Sequence, residues 1–254
     1  MRILGLVTLA FCFVFGGHTH ASQRLMIAAA ADLRFALDDI LTIYRSTHPN
    51  AQIEVVYGSS GKMTTQILNG APYDVFFSAD ISFPERLYRE GFAMTKPSVY
   101  AVGRIVLWSK RHDASSMTLH DLLQPSIRRV AIAQPAHAPY GLRAKEALME
   151  LGLWEEIQPK LVFGENIAHT AQMVESKAAD VGIIALSLAL FPALATHGYH
   201  LIDEQLHNPL TQGYVVTRYG RNNALAQDFA AFMTGQDARA IMEEFGFILP
   251  EFDD

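Results

Sequence analysis

Short apolar runs alternate with amphipathic helical patterns along most of this chain. Such alternation is typical of α/β folds, in which helices cover a mainly parallel sheet. We therefore predict a parallel sheet with covering helices for the first series of elements. Its predicted strands are Leu25 to Ala29, Gln52 to Tyr57 and Val75 to Phe77, and its predicted helices are Asp32 to Arg45, Lys62 to Leu68 and Phe83 to Glu90.

A second series of the same kind follows, and together the units are too many for one comfortable sheet. A chain of 254 residues also allows more than one domain. No Gly/Ser-rich or Pro-rich linker separates the two series, which favours two lobes between which the chain crosses twice. The predicted strands are Ile105 to Trp108, Val130 to Ala133, Lys160 to Phe163, Val181 to Ala185 and Tyr214 to Thr217, and the predicted helices are Gly141 to Leu151, His169 to Ser176, Ala224 to Met233 and Asp237 to Phe245.

The first residues have the pattern of a secretory signal peptide. Arg2 supplies a positive charge, an apolar run without charges follows to Gly17, and small side chains precede Ser22. The apolar run is shorter than the roughly 20 residues that cross a bilayer, which favours cleavage after Ala21 over a transmembrane anchor. The only cysteine, Cys12, lies in this segment, so the mature chain has neither disulfides nor thiolate chemistry.

The chain is acidic, which restricts its partners. Lys and Arg number 20 against 26 Asp and Glu, a net charge of −6, and loss of Arg2 with the signal peptide leaves 19 against 26, or −7. Such a surface does not attract nucleic acid or anionic lipid non-specifically, so we expect no nucleic-acid partner. Any site for an anion must therefore be built locally.

Four predicted strand-to-helix junctions are candidates for such a site. Ligands of open α/β sheets bind at the carboxyl ends of strands, where helices begin. The start of a helix presents free N–H groups and a partial positive charge, and serine or tyrosine hydroxyls add neutral donors. The candidates are Ala31 and Asp32 at the first junction, Ser59 and Ser60 in Gly58-Ser59-Ser60-Gly61 at the second, Tyr140 in Pro139-Tyr140-Gly141 at the third, and Ile167 after Gly164-Glu165-Asn166 at the fourth.

Catalytic and metal sites have weaker support in the sequence. No carboxylate pair, nucleophile–base pair or cysteine cluster stands out, so we do not expect an enzyme. Three histidines near two acids are an alternative, a metal site, but no pair of them has a firm motif spacing. These residues are His197, His200 and His207 with Asp203 and Glu204.

Several motifs, in order, resemble those of the periplasmic molybdate-binding proteins of ABC importers, from about Arg24 to Pro250. The family has a serine-rich turn, a helix, a Gly-Ala-Pro-x-Asp segment and a strand that ends in Ser-Ala-Asp. The matching residues are Gly58-Ser59-Ser60-Gly61, Gln66-Ile67, Asn69-Gly70-Ala71-Pro72-Tyr73-Asp74 with Val75-Phe76-Phe77-Ser78-Ala79-Asp80, Pro139-Tyr140-Gly141 with Ala144-Lys145-Glu146-Ala147-Leu148, and Phe245-Gly246-Phe247.

The resemblance implies a type II periplasmic binding fold, with two α/β lobes and a hinge. Lobe 1 would comprise residues 22–103 plus 208–254, and lobe 2 residues 104–207. The implied ligand is molybdate or tungstate, with molybdenum present only as the oxyanion. Its donors would be the second serine of the turn, Ser60, and the main-chain groups of Tyr140 and Ile167. The implied partner is the ABC permease of the inner membrane, and we expect a monomer without a cofactor.

Two positions depart from the family pattern. Asp32 stands where the family has serine or asparagine, and Ala185 stands where some members have tyrosine. Asp32 could cap its helix, could be protonated beside the anion, or could indicate another oxyanion. We expect capping, with the Tyr140 phenol in place of the side chain that Ala185 lacks.

Overall fold

The strands within residues 24–251 form two five-stranded sheets. The computed structural model describes residues 24–251, so the predicted signal peptide, residues 1–21, lies outside the described residues. The strands are β1 (Arg24–Ala30), β2 (Gln52–Gly58), β3 (Val75–Ser78), β4 (Ser98–Gly103), β5 (Ile105–Trp108), β6 (Val130–Ala133), β7 (Leu161–Gly164), β8 (Val181–Ala185), β9 (Tyr199–Leu201) and β10 (Leu210–Val216).

The first sheet has the order β2-β1-β3-β10-β4. β1 pairs in parallel with β2 and β3, as predicted, but β10 runs antiparallel to β3 and β4. The parallel pairing predicted for the first series is confirmed, and β10, which was not assigned to that series, makes the sheet mixed. β10 enters the first sheet after the chain has built the second. β10 also begins at Leu210 instead of the predicted Tyr214.

The second sheet has the order β7-β6-β8-β5-β9. β6 pairs in parallel with β7 and β8, whereas β5 is antiparallel to both β8 and β9. The strands β4 and β9 had no counterpart in the sequence prediction. Each sheet therefore has three adjacent parallel strands at one side, where successive junctions can meet, and antiparallel pairs at the other.

Helices cover both sheets, and several begin earlier than predicted. The predicted helix from Asp32 starts as a short 3-10 helix, Ala31–Leu33, and continues as an α-helix. The α-helices are α1 (Arg34–Thr47), α2 (Ser60–Leu68), α3 (Ser82–Arg89), α4 (Pro139–Glu150), α5 (Trp154–Ile157), α6 (Ile167–Glu175), α7 (Leu186–Ala189), α8 (Ala224–Phe232) and α9 (Gln236–Glu244). No helix of residues 24–251 is long and apolar enough to cross a membrane.

Both faces of the first sheet are packed, because side chains alternate along β1. Ile27 lies in a core with Leu37 of α1 and Phe229 of α8. Ala28, on the opposite face, lies in a second core with Met63 of α2. A third core surrounds the second sheet and contains most of its buried strand residues. The helices that begin at the junctions are thus held against the sheets by burial of their apolar faces.

The chain crosses between the sheets at residue 104 and again through residues 202–209. We call the first sheet with its helices lobe 1, and the second sheet with its helices lobe 2. The predicted boundaries, 103/104 and 207/208, fall in these connections. Their positions within the connections stay a prediction.

Candidate functional site

A narrow gap between the lobes is lined by residues of all four predicted junctions. Its cavity volume is about 10 Å³. A cavity beside Arg104 and His200 is larger, about 460 Å³, but contains none of these junctions. The gap is lined by Ala30, Ala31, Asp32, Gly58, Ser59, Ser60, Ala79, Ala138, Pro139, Tyr140 and Ile167.

Strand register brings the junctions of each lobe side by side. Ala30 pairs with Gly58 at the ends of β1 and β2. In the second sheet, Ala133 pairs with Gly164 at the ends of β6 and β7. The helices that follow these strands therefore begin close to one another. N–H groups in the first turn of a helix have no partner within it, so they can bind an anion.

Ser60 combines a helix start with a hydroxyl. Its side chain is 1% exposed, and Oγ accepts a hydrogen bond from Ala79 N–H over 3.0 Å. The hydroxyl hydrogen has no acceptor among the described residues, so Ser60 can donate it to a ligand in the gap. The neighbouring hydroxyl of Ser59 lies 2.9 Å from His137 Nδ1, and that contact crosses from lobe 1 to lobe 2.

The third junction packs unusually closely against its sheet. A methyl group on Gly141 would overlap the carbonyl oxygen of Ala133 at the end of β6, so a residue with a side chain would push α4 away. Pro139 occupies the first turn of α4, where its missing N–H costs no helical hydrogen bond. Gly61 N–H donates to His137 O over 3.0 Å and joins the second and third junctions across the lobes.

Asp32 does not cap its helix, and that prediction is wrong. It lies inside the 3-10 turn, where no side-chain cap is formed. Its Oδ2 accepts hydrogen bonds from Tyr140 Oη, 3.0 Å away, and Gln212 Nε2, 2.7 Å away. Its Oδ1 is buried and has no hydrogen-bond partner among residues 24–251. The carboxylate thus binds two side-chain donors, Tyr140 and Gln212, that lie far from it in the sequence.

Burial raises the pKa of Asp32 from 3.8 to about 6. The hydrogen bonds from Gln212 and Tyr140 act in the opposite direction, as do the nearby N–H groups of Asp32 and Leu33. Desolvation dominates because a carboxylate that is 1% exposed has lost nearly all of its hydration. This carboxyl therefore gains a proton much more readily than an exposed aspartate.

The Tyr140 phenol has a different role from the predicted one. Its hydrogen is donated to Asp32, and its oxygen accepts from Gln212 Nε2 over 3.0 Å. The main-chain N–H of Tyr140, at the start of α4, stays the candidate donor. Ala185 ends β8 and pairs with Ile105, and it is not among the residues that line the gap.

Gln212 and His137 contact the predicted site residues but were not among the predicted ones. Gln212 lies in β10, outside the strand predicted from Tyr214, and is fully buried. A buried amide needs hydrogen-bond partners, but no pattern in the sequence around Gln212 indicated its burial. His137 lies in the loop before α4. Burial and the charge of Lys62 lower its pKa, while Glu165 opposes this shift.

Two ion pairs connect the lobes beside the gap. Arg143 of α4 contacts Asp80 over 3.1 Å, with the Arg143 side chain 9% exposed. Lys62 of α2 contacts Glu165 over 2.9 Å, and both of these side chains are about half exposed. Together with the contacts from Tyr140 to Asp32, these pairs hold the lobes in a closed arrangement.

The alternative of a metal site finds no support in the described range. Nowhere in residues 24–251 do three His, Cys, Asp or Glu side chains lie together as a metal site requires. This range includes His197, His200 and His207, together with Asp203 and Glu204.

A family model and individual relatives both identify this chain as similar to bacterial solute-binding proteins. Residues 25–248 match the model of the family described as bacterial extracellular solute-binding protein. The chain is 33% identical over 232 residues to the molybdate-binding protein ModA of Rhodobacter capsulatus, covering 90% of this chain and 89% of that one.

Solved structures have the same two-lobed type II fold. The periplasmic molybdate-binding protein of Azotobacter vinelandii superposes with a TM-score of 0.84 at 32% identity, over 89% of this chain and all of that one. The sulfate-binding protein SubI of Mycobacterium tuberculosis superposes with a TM-score of 0.75 over 89% of this chain and 86% of that one, but at 12% identity it shares the fold alone. This chain therefore belongs to the bacterial extracellular solute-binding protein family, in the branch of the ModA-type molybdate-binding proteins.

Proposed function

We propose that this protein captures molybdate, or the near-isosteric tungstate, and delivers it to the permease of an ABC importer in the inner membrane. The observation that carries the proposal is the convergence of four strand-to-helix junctions on one narrow gap. The names of the relatives, molybdate-binding proteins at about one-third identity over nine-tenths of the chain, support the same ligand.

Neutral donors can hold a small dianion in such a gap. A hydrogen bond to a charged partner contributes about 1.5–3 kcal/mol, roughly twice a neutral one. The Ser60 hydroxyl and the main-chain N–H groups of Ser60, Tyr140 and Ile167 supply several such bonds. The partial positive charge at each helix start adds to them. Affinity would therefore not require a lysine or arginine among the lining residues.

Capture would proceed by closure of the lobes. Lobe 1 contributes Ser60 and lobe 2 contributes Tyr140 and Ile167, so one anion contacts both lobes only when they are closed. A ligand shifts a conformational equilibrium by its differential affinity for the two states. The closed, loaded form is then the one that the permease would recognise. In this proposal the mature protein begins after Ala21 and acts in the periplasm as a monomer, without a cofactor or enzymatic activity.

The buried carboxylate of Asp32 favours a second candidate ligand, a small oxyanion other than molybdate or tungstate. A buried carboxylate repels a fully deprotonated dianion but accepts a hydrogen bond from an anion that carries a proton, such as hydrogen phosphate. The unpartnered Asp32 Oδ1 could take such a bond. The two candidates differ in ligand only, since both use the same gap and donors.

A thermal-shift panel on the mature protein tests the proposal and its alternatives. The ligands are molybdate, tungstate, sulfate, phosphate and zinc at matched ionic strength. A ligand at about 1,000 times its dissociation constant adds about 4 kcal/mol of apparent stability, which raises Tm by several degrees. We expect that shift with molybdate and tungstate. Its absence with both would refute the proposal. A shift with phosphate or sulfate alone would establish the second candidate, and one with zinc alone the metal site.

A further inference from the structure

Asp32 is the only acidic side chain that lines the gap in the described part of the chain. The side chain is 1% exposed, and no lysine, arginine or histidine of residues 24–251 forms an ion pair with it. A buried carboxylate without a cation normally gains a proton instead. An incoming dianion would strengthen that tendency, because like charges at close range disfavour the ionised form.

The hydrogen bonds around Asp32 determine where a proton can go. Tyr100 Oη donates to Gln212 Oε1 over 2.5 Å, which leaves Gln212 Nε2 to donate to Asp32 Oδ2 and to Tyr140 Oη. Since Tyr140 Oη accepts from Gln212, its own hydrogen goes to Asp32 Oδ2. Oδ2 is thus occupied by two donors. A proton on this carboxyl must therefore reside on Oδ1, the oxygen without a partner.

The groups that face Asp32 from other elements stay neutral. Burial raises the pKa of Tyr100, on β4, and of Tyr140, on α4, well above 10, so neither phenol ionises near neutral pH. From α7, Ser187 Oγ donates to the main-chain oxygen of Asp32 over 2.8 Å. From β10, Gln212 does not titrate. Asp32 is therefore the group of this cluster whose charge can change near neutral pH.

We propose that Asp32 takes up one proton from solvent as the oxyanion enters, and that Oδ1 then donates this proton in a hydrogen bond to the bound anion. The inference rests on the proposed function and specifies its chemistry. The carboxylate and the proton combine to a neutral carboxylic acid, and no covalent bond to the anion is made or broken. The neutral acid then presents an O–H donor to the ligand, as a hydroxyl side chain would.

Other titratable groups lie at the rim of the gap and need a control. His137 is held beside Ser59, and Lys62 pairs with Glu165 nearby. Burial and the charge of Lys62 lower the pKa of His137, which disfavours protonation of this imidazole, while Glu165 opposes the shift. A proton taken up there by His137 would disappear in His137→Gln, whereas one taken up by Asp32 would remain.

Isothermal titration calorimetry with molybdate tests the inference. Titrations at about pH 7 and pH 8, each in two buffers of different ionisation enthalpy, count the protons bound per anion. We expect nearly one proton for the wild type and for His137→Gln, with affinity falling up to tenfold per pH unit. We expect none for Asp32→Asn, whose affinity should be independent of pH.

Three outcomes separate the inference from the proposed function. Normal molybdate binding by the wild type without proton uptake overturns the inference and leaves the function intact. Uptake that persists in Asp32→Asn and vanishes in His137→Gln overturns it as well, because the proton then belongs to the histidine. Failure of the wild type to bind either molybdate or tungstate at any pH overturns both. If the Asp32 variant does not fold, the proton counts of the wild type and of His137→Gln still decide the matter.

Discussion

Tyr140 Oη donates a hydrogen bond to Asp32 Oδ2 over 3.0 Å, and this bond links the start of α4 in lobe 2 to the end of β1 in lobe 1. Gln212 Nε2 bonds to both groups, so three side chains from both lobes form one buried network beneath the gap. Gly103, the last residue before the chain first crosses between the lobes, touches the same network, since a methyl group there would overlap Tyr140 Oη. Lobe closure and the charge of Asp32 are therefore coupled.

Tyr140→Phe should destabilise the protein by about 1–3 kcal/mol, because Gln212 and Asp32 each lose a buried partner. Asp32 also loses a donor that stabilises its ionised form, so its pKa should rise further. Urea unfolding at neutral pH measures the first effect. Tyr88→Phe, at an exposed position of α3, is the matched control and should change stability by less than about 0.5 kcal/mol. Equal effects of the two substitutions would contradict the network.

Asp32→Asn should stabilise the ligand-free protein at pH 7 and leave it unchanged near pH 4. The pKa of Asp32 is about 6 in the folded protein against 3.8 ordinarily, so the folded state binds this proton more tightly. The stability contributed by that proton is complete below about pH 4 and is lost as pH rises through 6. The loss amounts to about 3 kcal/mol, which the neutral asparagine avoids.

Urea unfolding of both proteins between about pH 4 and pH 8 checks this prediction. Carboxyls whose pKa is lowered, such as Asp180 and Glu165, stabilise both proteins less as the pH falls. Their contributions cancel in the difference in unfolding free energy between the two proteins. A difference in stability between the wild type and Asp32→Asn that does not vary with pH would show that Asp32 stays ionised in the folded protein.

The junctions could be predicted because their position follows from local rules. Apolar runs predict strands, parallel pairing places their carboxyl ends together, and helix starts follow at once. These rules predict Ser60, Tyr140 and Ile167 as site residues, and all three line one gap. The motifs of the family added the assignment to two lobes. The fold and the position of the gap were thus accessible from the sequence.

The network beneath the gap could not be predicted in the same way. Gln212 lies 180 residues from Asp32 in the sequence, and only the pairing of β10 with β3 and β4 brings it there. The first half of β10, Leu210-Thr211-Gln212-Gly213, lacks an apolar run, so no pattern indicated a strand. Asp32 was assigned to a cap because capping is the local role of aspartate before a helix. Tertiary hydrogen bonds overrode that preference.

Ser60→Ala should weaken molybdate binding more than Ser59→Ala. The Ser60 hydroxyl accepts from Ala79 N–H and keeps its hydrogen for a ligand, whereas Ser59 Oγ lies against His137. Loss of one hydrogen bond to an anion corresponds to about 1.5–3 kcal/mol, or roughly tenfold to more than a hundredfold in dissociation constant. Calorimetric titration of both variants measures the ratio. A larger effect at Ser59 would assign the side-chain donor to the first serine of the turn.

The two ion pairs between the lobes should differ strongly in their contribution to the free energy of unfolding. Arg143→Gln leaves Asp80 and Glu146 without their partner at a site where the arginine is 9% exposed, so we expect a loss of about 3–5 kcal/mol in unfolding free energy. Lys62→Gln removes an exposed cation from Glu165 and should cost less than about 1 kcal/mol, which makes it the matched control.

Urea unfolding gives the two free energies, and small-angle scattering gives the separation of the lobes. We expect a larger radius of gyration for Arg143→Gln than for the wild type without ligand, because the closed arrangement loses its buried interlobe charge pair. Added molybdate should reverse much of that expansion, since the anion bonds to both lobes. Similar stability and similar dimensions for the two variants would mean that the contacts around Asp32 hold the lobes together without help from Arg143.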